Sequence, residues 1–219
     1  MFDPLIRKRV ERTGIVAVLV LDEEARAVPT ARALLEGGVD CIELTLRTDC
    51  ALDAARRIRG ECPEMILGIG TVLKPQQVEE VAALGASFAV SPGMNPRVIE
   101  AARALGLSFA PGVCTPTDIE LAVEAGCRLM KFFPSEPSGG LAYLRAIGAP
   151  FAHLGLGFVP LGGIDLENST RYLQEPMVAA LGGSWLAPRE AIAAGNWQAI
   201  TSAARAARSL VDRLRGGQP

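Results

Sequence analysis

A lysine inside an apolar run is the residue of this sequence best suited to covalent chemistry. Lys131 lies near the end of the run LMKFFP at positions 129–134, where an exposed lysine is not expected. Among Met and Phe side chains the amine loses hydration, which favours the neutral form that attacks a carbonyl and forms a Schiff base. A lysine that snorkels out of a strand end gives the same pattern. Polar residues in other segments of the chain distinguish the two interpretations.

Three polar residues alternate with apolar residues in the segment IELTLR at positions 42–47. In an extended strand Glu43, Thr45 and Arg47 share one face, and the apolar residues share the other. A carboxylate near a Schiff-base lysine can shuttle protons, and the planar guanidinium of Arg47 suits two-point binding of a carboxylate. An edge strand with one face in solvent is the alternative interpretation of this alternation.

Further candidate binding residues follow other apolar segments. Thr71 ends the segment GIGT, where its hydroxyl can serve the same carboxylate or cap the next helix. Gly162 and Gly163 follow one apolar run, and a second glycine pair ends at Gly183, directly before Ser184. A single glycine pair is most often a turn. Two pairs after the last two strands of a barrel predict backbone N–H groups that bind phosphate.

The elements that position these residues alternate regularly from residue 15 onward. We predict strands near 15–20, 40–46, 65–70, 87–91, 108–111, 128–133, 153–159 and 177–181. We predict helices near 24–36, 50–60, 75–84, 96–104, 116–125, 139–148, 166–174 and 188–194, and a final helix near 196–214. Gly85, Gly106 and Gly126 each close a helix before a buried strand, as in compact repeating units. The series predicts an α/β fold, a (β/α)8 TIM barrel; a doubly wound open sheet is the alternative.

Length and composition fit this fold and narrow the class of partner. The 219 residues predict a single barrel domain over 1–219, with a short N-terminal helix and an extra C-terminal helix. The chain is 49% hydrophobic but only 5% aromatic, so aliphatic side chains must build the core. A net charge of −2 argues against a nucleic-acid or acidic-membrane surface and favours a small-molecule partner.

Targeting signals and metal sites are not predicted. Acidic residues at 22–24 follow the apolar run 15–21 and argue against a signal peptide, and that run is too short to span a bilayer. We therefore expect a cytoplasmic protein. His153 is expected to pack within an apolar stretch, and no metal-ligating cluster is visible. Buried thiols in a reducing compartment are expected at Cys41, Cys50, Cys62, Cys114 and Cys127.

The motifs around the candidate residues resemble a known family. The segments TLRT at 45–48, GTVL at 70–73, SPG at 91–93, PG at 111–112, KFFP at 131–134 and GGSW at 182–185 are similar, in order and spacing, to those of the 2-keto-3-deoxy-6-phosphogluconate (KDPG) and 4-hydroxy-2-oxoglutarate (KHG) aldolase family. The resemblance runs from about residue 14 to 213. It implies a class I aldolase that needs no metal or other cofactor and is typically a homotrimer.

The resemblance also implies a role for each candidate residue. Lys131 forms the Schiff base, Glu43 is the general acid and base, and Arg47 with Thr71 holds the pyruvate carboxylate. The other substrate-binding residues that the motifs imply are Pro92, Phe133, Gly162, Gly163, Gly183 and Ser184. The implied reaction cleaves KDPG to pyruvate and glyceraldehyde 3-phosphate.

One departure from the family keeps the substrate open. Leu161 stands where the family usually has threonine in the turn before the glycine pair, and we expect the missing hydroxyl to alter phosphate binding or substrate choice. The nearest alternative is an aldolase of the same mechanism that acts on 4-hydroxy-2-oxoglutarate or another 2-oxo acid. Two further alternatives are a phosphate-binding barrel isomerase that forms no imine and a non-catalytic sugar-phosphate sensor.

Overall fold

Short parallel strands alternate with helices throughout residues 2–216, the part of the chain that the computed structural model describes. The strands are β1 Ile15–Leu19, β2 Cys41–Thr45, β3 Ile66–Gly70, β4 Phe88–Val90, β5 Phe109–Ala110, β6 Gly112–Val113, β7 Leu129–Phe132, β8 Gly157–Pro160 and β9 Leu181–Gly183. The helices are α1 Pro4–Thr13, α2 Ala27–Glu36, α3 Ala51–Glu61, α4 Pro75–Leu84, α5 Pro96–Ala104, α6 Pro116–Glu124, α7 Gly140–Gly148, α8 Leu166–Leu173, α9 Arg189–Ala193 and α10 Trp197–Arg215. None of these helices has the length and apolar character needed to cross a bilayer.

The strands close into a barrel through two parallel ladders. One ladder has the order β5-β4-β3-β2-β1-β9 and the other β6-β7-β8. Pro111 separates β5 from β6, so that β5 pairs with β4 while β6 pairs with β7. The second junction between the two ladders lies between β8 and β9. There Phe158 exchanges two backbone hydrogen bonds of 2.8 Å with the segment 177–179, and the chain then continues into β9, which pairs with β1. The predicted (β/α)8 barrel is confirmed.

Three predicted strands differ from the observed ones. The predicted strand 108–111 is interrupted at Pro111, because proline has no N–H to give to a ladder. The predicted strand 153–159 starts only at Gly157, because a 3₁₀ helix over Ala149–Leu154 precedes it. His153 lies exposed on that 3₁₀ helix, so the expectation that it packs in an apolar stretch was wrong. The predicted strand 177–181 pairs at Val178 and continues further, as β9.

Helix α1 covers the N-terminal end of the barrel. The Asp3 side chain accepts hydrogen bonds from the N–H groups of Leu5 and Ile6 at 2.8 and 3.0 Å, which is N-cap chemistry at a helix start. The inner face of α1 places Val10 in a cluster with interior side chains such as Phe88. The opposite end of the barrel, where the strands end, is therefore the end available to a ligand.

Candidate active site

Lys131 and Glu43 meet inside the barrel. Lys131 Nζ lies 2.8 Å from Glu43 Oε1, and the side chains are 8% and 3% exposed. Their positions follow from alternation, because the apolar neighbours of Lys131 in β7 and of Glu43 in β2 belong to the core between the barrel and the helices. The snorkelling lysine and the solvated edge strand are therefore both wrong. A buried ion pair adds little stability, so a chemical role explains this pair better.

Two glycines in β3 make room for interior side chains, and one of these is the Glu43 carboxylate. A Cβ atom added at Gly70 would lie 2.1 Å from Glu43 Oε1, and one added at Gly68 would lie 2.1 Å from the ring of Phe88. Any larger residue at Gly70 would therefore push the carboxylate away from Lys131. A cavity of about 20 Å³ lies between this pair and apolar interior side chains, which is room for about one water molecule.

Arg47 lies at the open end of the barrel, two residues after Thr45. The Thr45 hydroxyl donates to the Leu19 carbonyl at 2.9 Å and accepts from Arg47 Nε at 3.3 Å. The Arg47 side chain is exposed and forms no ion pair with any carboxylate in residues 2–216. Its two terminal nitrogens are thus available for a bidentate contact with an anion.

Thr71 has an unusual backbone conformation directly after β3. Its φ is +60°, in the left-handed region that β-branched residues rarely occupy. Helix α4 starts later, with Lys74 as its N-cap, so Thr71 does not cap that helix. Strained backbone of this kind concentrates at binding and catalytic sites.

A cleft of about 680 Å³ opens at the same end of the barrel. Arg47, Gly163 and Ser184 line it, so three of the predicted site residues share one cleft. Trp185 and Arg189 also line it. Trp185 is part of the GGSW motif, whereas Arg189 starts the short helix α9 and no pattern in the sequence marks it as a site residue. Arg189 pairs with Asp22 from the loop after β1, and this hydrogen bond lowers the pKa of the Asp22 carboxyl.

The first predicted glycine pair forms a turn beside this cleft. Gly162 and Gly163 have φ values of +92° and +79°, which favour glycine. Within residues 2–216, their backbone N–H groups donate to no other group of the chain. Consecutive N–H groups of this kind form an anion-binding concavity.

The second predicted glycine pair is not a loop. Gly182 and Gly183 lie within β9, and added Cβ atoms would come within 2.4 Å of Leu161 Cγ and 1.6 Å of Trp185 Cζ3. These glycines therefore allow two side chains to pack against the strand. The neighbouring Ser184 is exposed in the cleft.

Leu161 points into the barrel. It is 5% exposed, packs against Gly182, and lines the small cavity beside Lys131 and Glu43. We expected its effect at the phosphate turn, but the side chain lies at the Lys131 end of the site. The sequence does not predict this orientation of Leu161. Strand β8 ends one residue earlier, so the alternation of strand side chains does not extend to Leu161.

Phe133 and Pro92 lie close to the lysine strand. The Phe133 ring centroid is 5.3 Å from Lys131 Nζ, and this ring also approaches Gly162. The Pro92 carbonyl packs against Gly112, the residue beside Lys131 in the ladder. Pro92 and Thr71 line neither the small cavity nor the cleft. Among residues 2–216, no group of three or more acidic, Cys or His side chains is arranged to hold a metal ion.

A buried amine lies beside a carboxylate, below a cleft whose Arg47 forms no ion pair within residues 2–216. Such a site can form and hydrolyse an imine with a 2-oxo acid. Fold and site thus define an α/β-barrel enzyme whose chemistry centres on a buried lysine. The family model for KDPG and KHG aldolase matches residues 6–203. The chain belongs to the KDPG and KHG aldolase family.

Individual relatives agree with this assignment. The chain is 42% identical to the 2-dehydro-3-deoxy-phosphogluconate aldolase of Treponema pallidum, over 90% of this chain and 93% of that one. It is 45% identical to the KHG/KDPG aldolase of Escherichia coli K12, over 88% and 90% of the two chains. A crystal structure of KDPG aldolase from Legionella pneumophila, with pyruvate captured as a covalent carbinolamine, is similar with a TM-score of 0.88 at 36% identity, covering 92% and 97%.

Proposed function

We propose that this protein is a class I aldolase that cleaves KDPG to pyruvate and glyceraldehyde 3-phosphate through an imine on Lys131. The contact between Lys131 Nζ and Glu43 Oε1 inside the barrel carries this proposal, because it joins a nucleophilic amine to a proton acceptor in a nearly closed site. The substrates named for the relatives from T. pallidum and E. coli support the choice of KDPG.

The substrate lies along the line from the barrel interior to the glycine turn. Lys131 and Glu43 are the catalytic residues at its inner end. Arg47, from the open end of the barrel, and Thr71, directly after β3, hold the carboxylate of the 2-oxo acid. Phe133 and Pro92 form the wall next to the lysine strand. The phosphate is bound at the outer end by Gly162, Gly163, Gly183 and Ser184, with the unpaired N–H groups of the turn as its main donors.

The chemistry follows from the positions of these groups. Lys131 Nζ attacks the C2 ketone, and loss of water gives a protonated imine that withdraws electrons from C3. Glu43, or a water that it holds, removes the proton of the C4 hydroxyl, so the C3–C4 bond breaks and glyceraldehyde 3-phosphate leaves. The resulting enamine takes a proton at C3, and hydrolysis of the imine releases pyruvate and restores Lys131. This sequence needs no electron acceptor or donor outside the substrate.

A second substrate, 4-hydroxy-2-oxoglutarate, fits the same mechanism. The E. coli relative is named for both substrates. The apolar Leu161 beside the reacting lysine is compatible with either, because both substrates present the same 2-oxo acid to the barrel interior. The two differ at the distal end, where one carries a phosphate and the other a carboxylate.

The domain organisation, the assembly and the cellular location of the protein are part of the same proposal. We propose that residues 1–219 form one barrel domain, that the protein assembles as a homotrimer, and that it works in the cytoplasm. Family membership supports these statements. Sedimentation equilibrium of the full chain measures the assembly directly, and a monomer at micromolar concentration would contradict the trimer.

Borohydride reduction in the presence of pyruvate tests the mechanism. We expect a pyruvate adduct, detected by intact mass and located by peptide mapping on Lys131, because reduction converts the imine to a stable secondary amine. Lys131→Met should give no adduct. If pyruvate binds to the wild-type protein and no adduct forms, the imine mechanism is wrong, and a non-imine isomerase or a sugar-phosphate sensor becomes the better explanation.

A further inference from the structure

Beneath the glycine turn lies a buried hydroxyl network that the reaction itself does not use. Tyr172 on α8 and Ser135 after β7 are both 0% exposed, and their hydroxyl oxygens are 2.9 Å apart. The Tyr172 hydroxyl donates to Glu136 Oε1, and Glu136 Oε2 accepts from Arg171 Nη2 at 2.7 Å. Because the only proton of Tyr172 goes to Glu136, Ser135 donates to Tyr172. The donor and the acceptor of each hydroxyl hydrogen bond in the network are therefore defined.

The protonation of Tyr172 is compatible with this arrangement. Burial, together with the hydrogen bond to Glu136, raises the pKa of Tyr172 to about 12. The phenol therefore keeps its proton throughout the range in which enzymes of this kind are assayed. Arg171 compensates the negative charge of Glu136, so a carboxylate can lie near an anion-binding turn without repelling the anion.

The network ties the lysine strand to the glycine turn. The N–H of Ser135 donates to the Leu161 carbonyl at 2.7 Å, and the N–H of Glu136 donates to the Gly162 carbonyl at 2.9 Å. Asn168 Nδ2 donates to the Gly163 carbonyl at 2.7 Å. Three consecutive carbonyls of the turn are thus held by protein groups.

Close packing fixes the remaining freedom of the turn. A Cβ atom added at Gly163 would lie 2.7 Å from Glu136 Cβ, so the Glu136 side chain lies directly against the turn. Tyr172 and Arg171 hold that side chain from its far end. With their carbonyls bound to Glu136 and Asn168, Gly162 and Gly163 keep their N–H groups available to an anion.

We propose that Tyr172 is a positioning residue that acts through Glu136 to orient the N–H groups of the Gly162–Gly163 turn toward the phosphate of the substrate. The proposal rests on the proposed function, since it concerns the distal end of the same substrate. Tyr172 does not touch the reacting carbons. Its removal should weaken phosphate binding and leave the chemistry at Lys131 intact.

Tyr172→Phe tests this proposal, and the same substitution at another tyrosine of the chain is the control. KM for KDPG should rise about tenfold, because the turn that binds the phosphate loses the support of Glu136 by Tyr172, while kcat changes less than about twofold. KM for 4-hydroxy-2-oxoglutarate should stay at the wild-type value, because its distal carboxylate is C5 and does not extend as far as the phosphate on C6 of KDPG. Tyr143→Phe makes the same chemical change on α7, where the hydroxyl forms no hydrogen bond within residues 2–216, and should leave both KM values unchanged.

The outcomes separate the inference from the proposed function. Equal losses for both substrates, together with a lower unfolding temperature, would mean that Tyr172 only supports the fold and would overturn the inference. An unchanged KM for KDPG would overturn it as well. A wild-type protein that forms the pyruvate adduct but does not cleave KDPG would overturn the proposed substrate, and the inference with it.

A second variant serves if Tyr172→Phe does not fold. Glu136→Gln keeps an acceptor for Tyr172 but loses the charge that Arg171 binds, so KM for KDPG should rise about threefold, the effect of weakening a charge-assisted hydrogen bond. KM for the unphosphorylated substrate should again stay unchanged. Equal changes for both substrates would contradict the inference.

Discussion

Lys131 and Glu43 depend on each other for charge compensation inside the barrel. They form an ion pair of 2.8 Å, and the other side chains that line their cavity are apolar. Taking one partner away leaves the other charge buried without compensation, which is far more costly than losing the pair as a whole. A variant meant to remove only the nucleophile therefore also perturbs the fold.

We expect Lys131→Met to lower the free energy of unfolding by about 3 kcal/mol at neutral pH, because Glu43 then lacks its ion-pair partner. Lys131→Met combined with Glu43→Gln should recover most of that loss, since neither charge is then buried. Urea unfolding of the wild-type protein, both single variants and the double variant measures the coupling. Additive effects of the two substitutions would contradict this account.

At the residue level, the alternation in β2 predicted the shared face of Glu43, Thr45 and Arg47, but no pattern predicted the place of Leu161. Alternation along one strand gives the face of a side chain, because successive Cβ atoms point to opposite sides. Leu161 follows directly after β8, and its position depends on the absence of a Cβ atom at Gly182 on the neighbouring strand. That contact joins two distant segments, and no local pattern in the sequence contains it.

Strand β3 shows how an element shapes the site without giving a functional group. It pairs with β2 so that Gly68 lies beside Glu43 and Gly70 beside Thr45. The missing side chain at Gly70 leaves the space that the Glu43 carboxylate occupies. In the sequence this segment is recognisable only as the strand before Thr71, because glycine in a strand gives no sign of which neighbour fills its space.

We expect Gly70→Ala to lower kcat about a hundredfold, because the new Cβ atom would lie 2.1 Å from Glu43 Oε1 and force the carboxylate away from Lys131. Steady-state kinetics and the yield of the borohydride adduct measure the effect, and circular dichroism checks the fold. Gly60→Ala on the outer helix α3 is the matched control, since no atom of the described residues lies within 4 Å of its added Cβ atom. It should keep full activity and gain about 0.5–1 kcal/mol of stability. Wild-type kcat in Gly70→Ala would show that the carboxylate position is not critical.

At the scale of the whole molecule, burial raises the pKa values of three cysteine thiols. Burial raises the pKa of Cys127 to about 11 and also raises the pKa values of Cys41 and Cys62. In the unfolded chain these thiols ionise near pH 9, before they do so in the folded protein. The unfolded state then binds fewer protons, so stability falls as the pH rises above 9.

We expect the free energy of unfolding, measured by urea under reducing conditions, to fall by at least about 1 kcal/mol between pH 8 and pH 10 from this cause. Cys127→Ala should show a shallower decline than the wild-type protein, because one of the shifted thiols is gone. The comparison of slopes is independent of the stability that the substitution itself costs. Parallel slopes would mean that Cys127 ionises equally in the folded and unfolded states.

The sequence by itself determined the order of strands and helices, the barrel class and the shared face of the polar residues Glu43, Thr45 and Arg47. These features follow from short-range periodicity, which burial of one face imposes on each element separately. Only the tertiary structure decided that Lys131 meets Glu43, 88 residues away, and that the chain from 177 to 183 completes the barrel through two partners. Such contacts depend on the register of distant segments, which packing of the whole barrel sets and no single segment encodes.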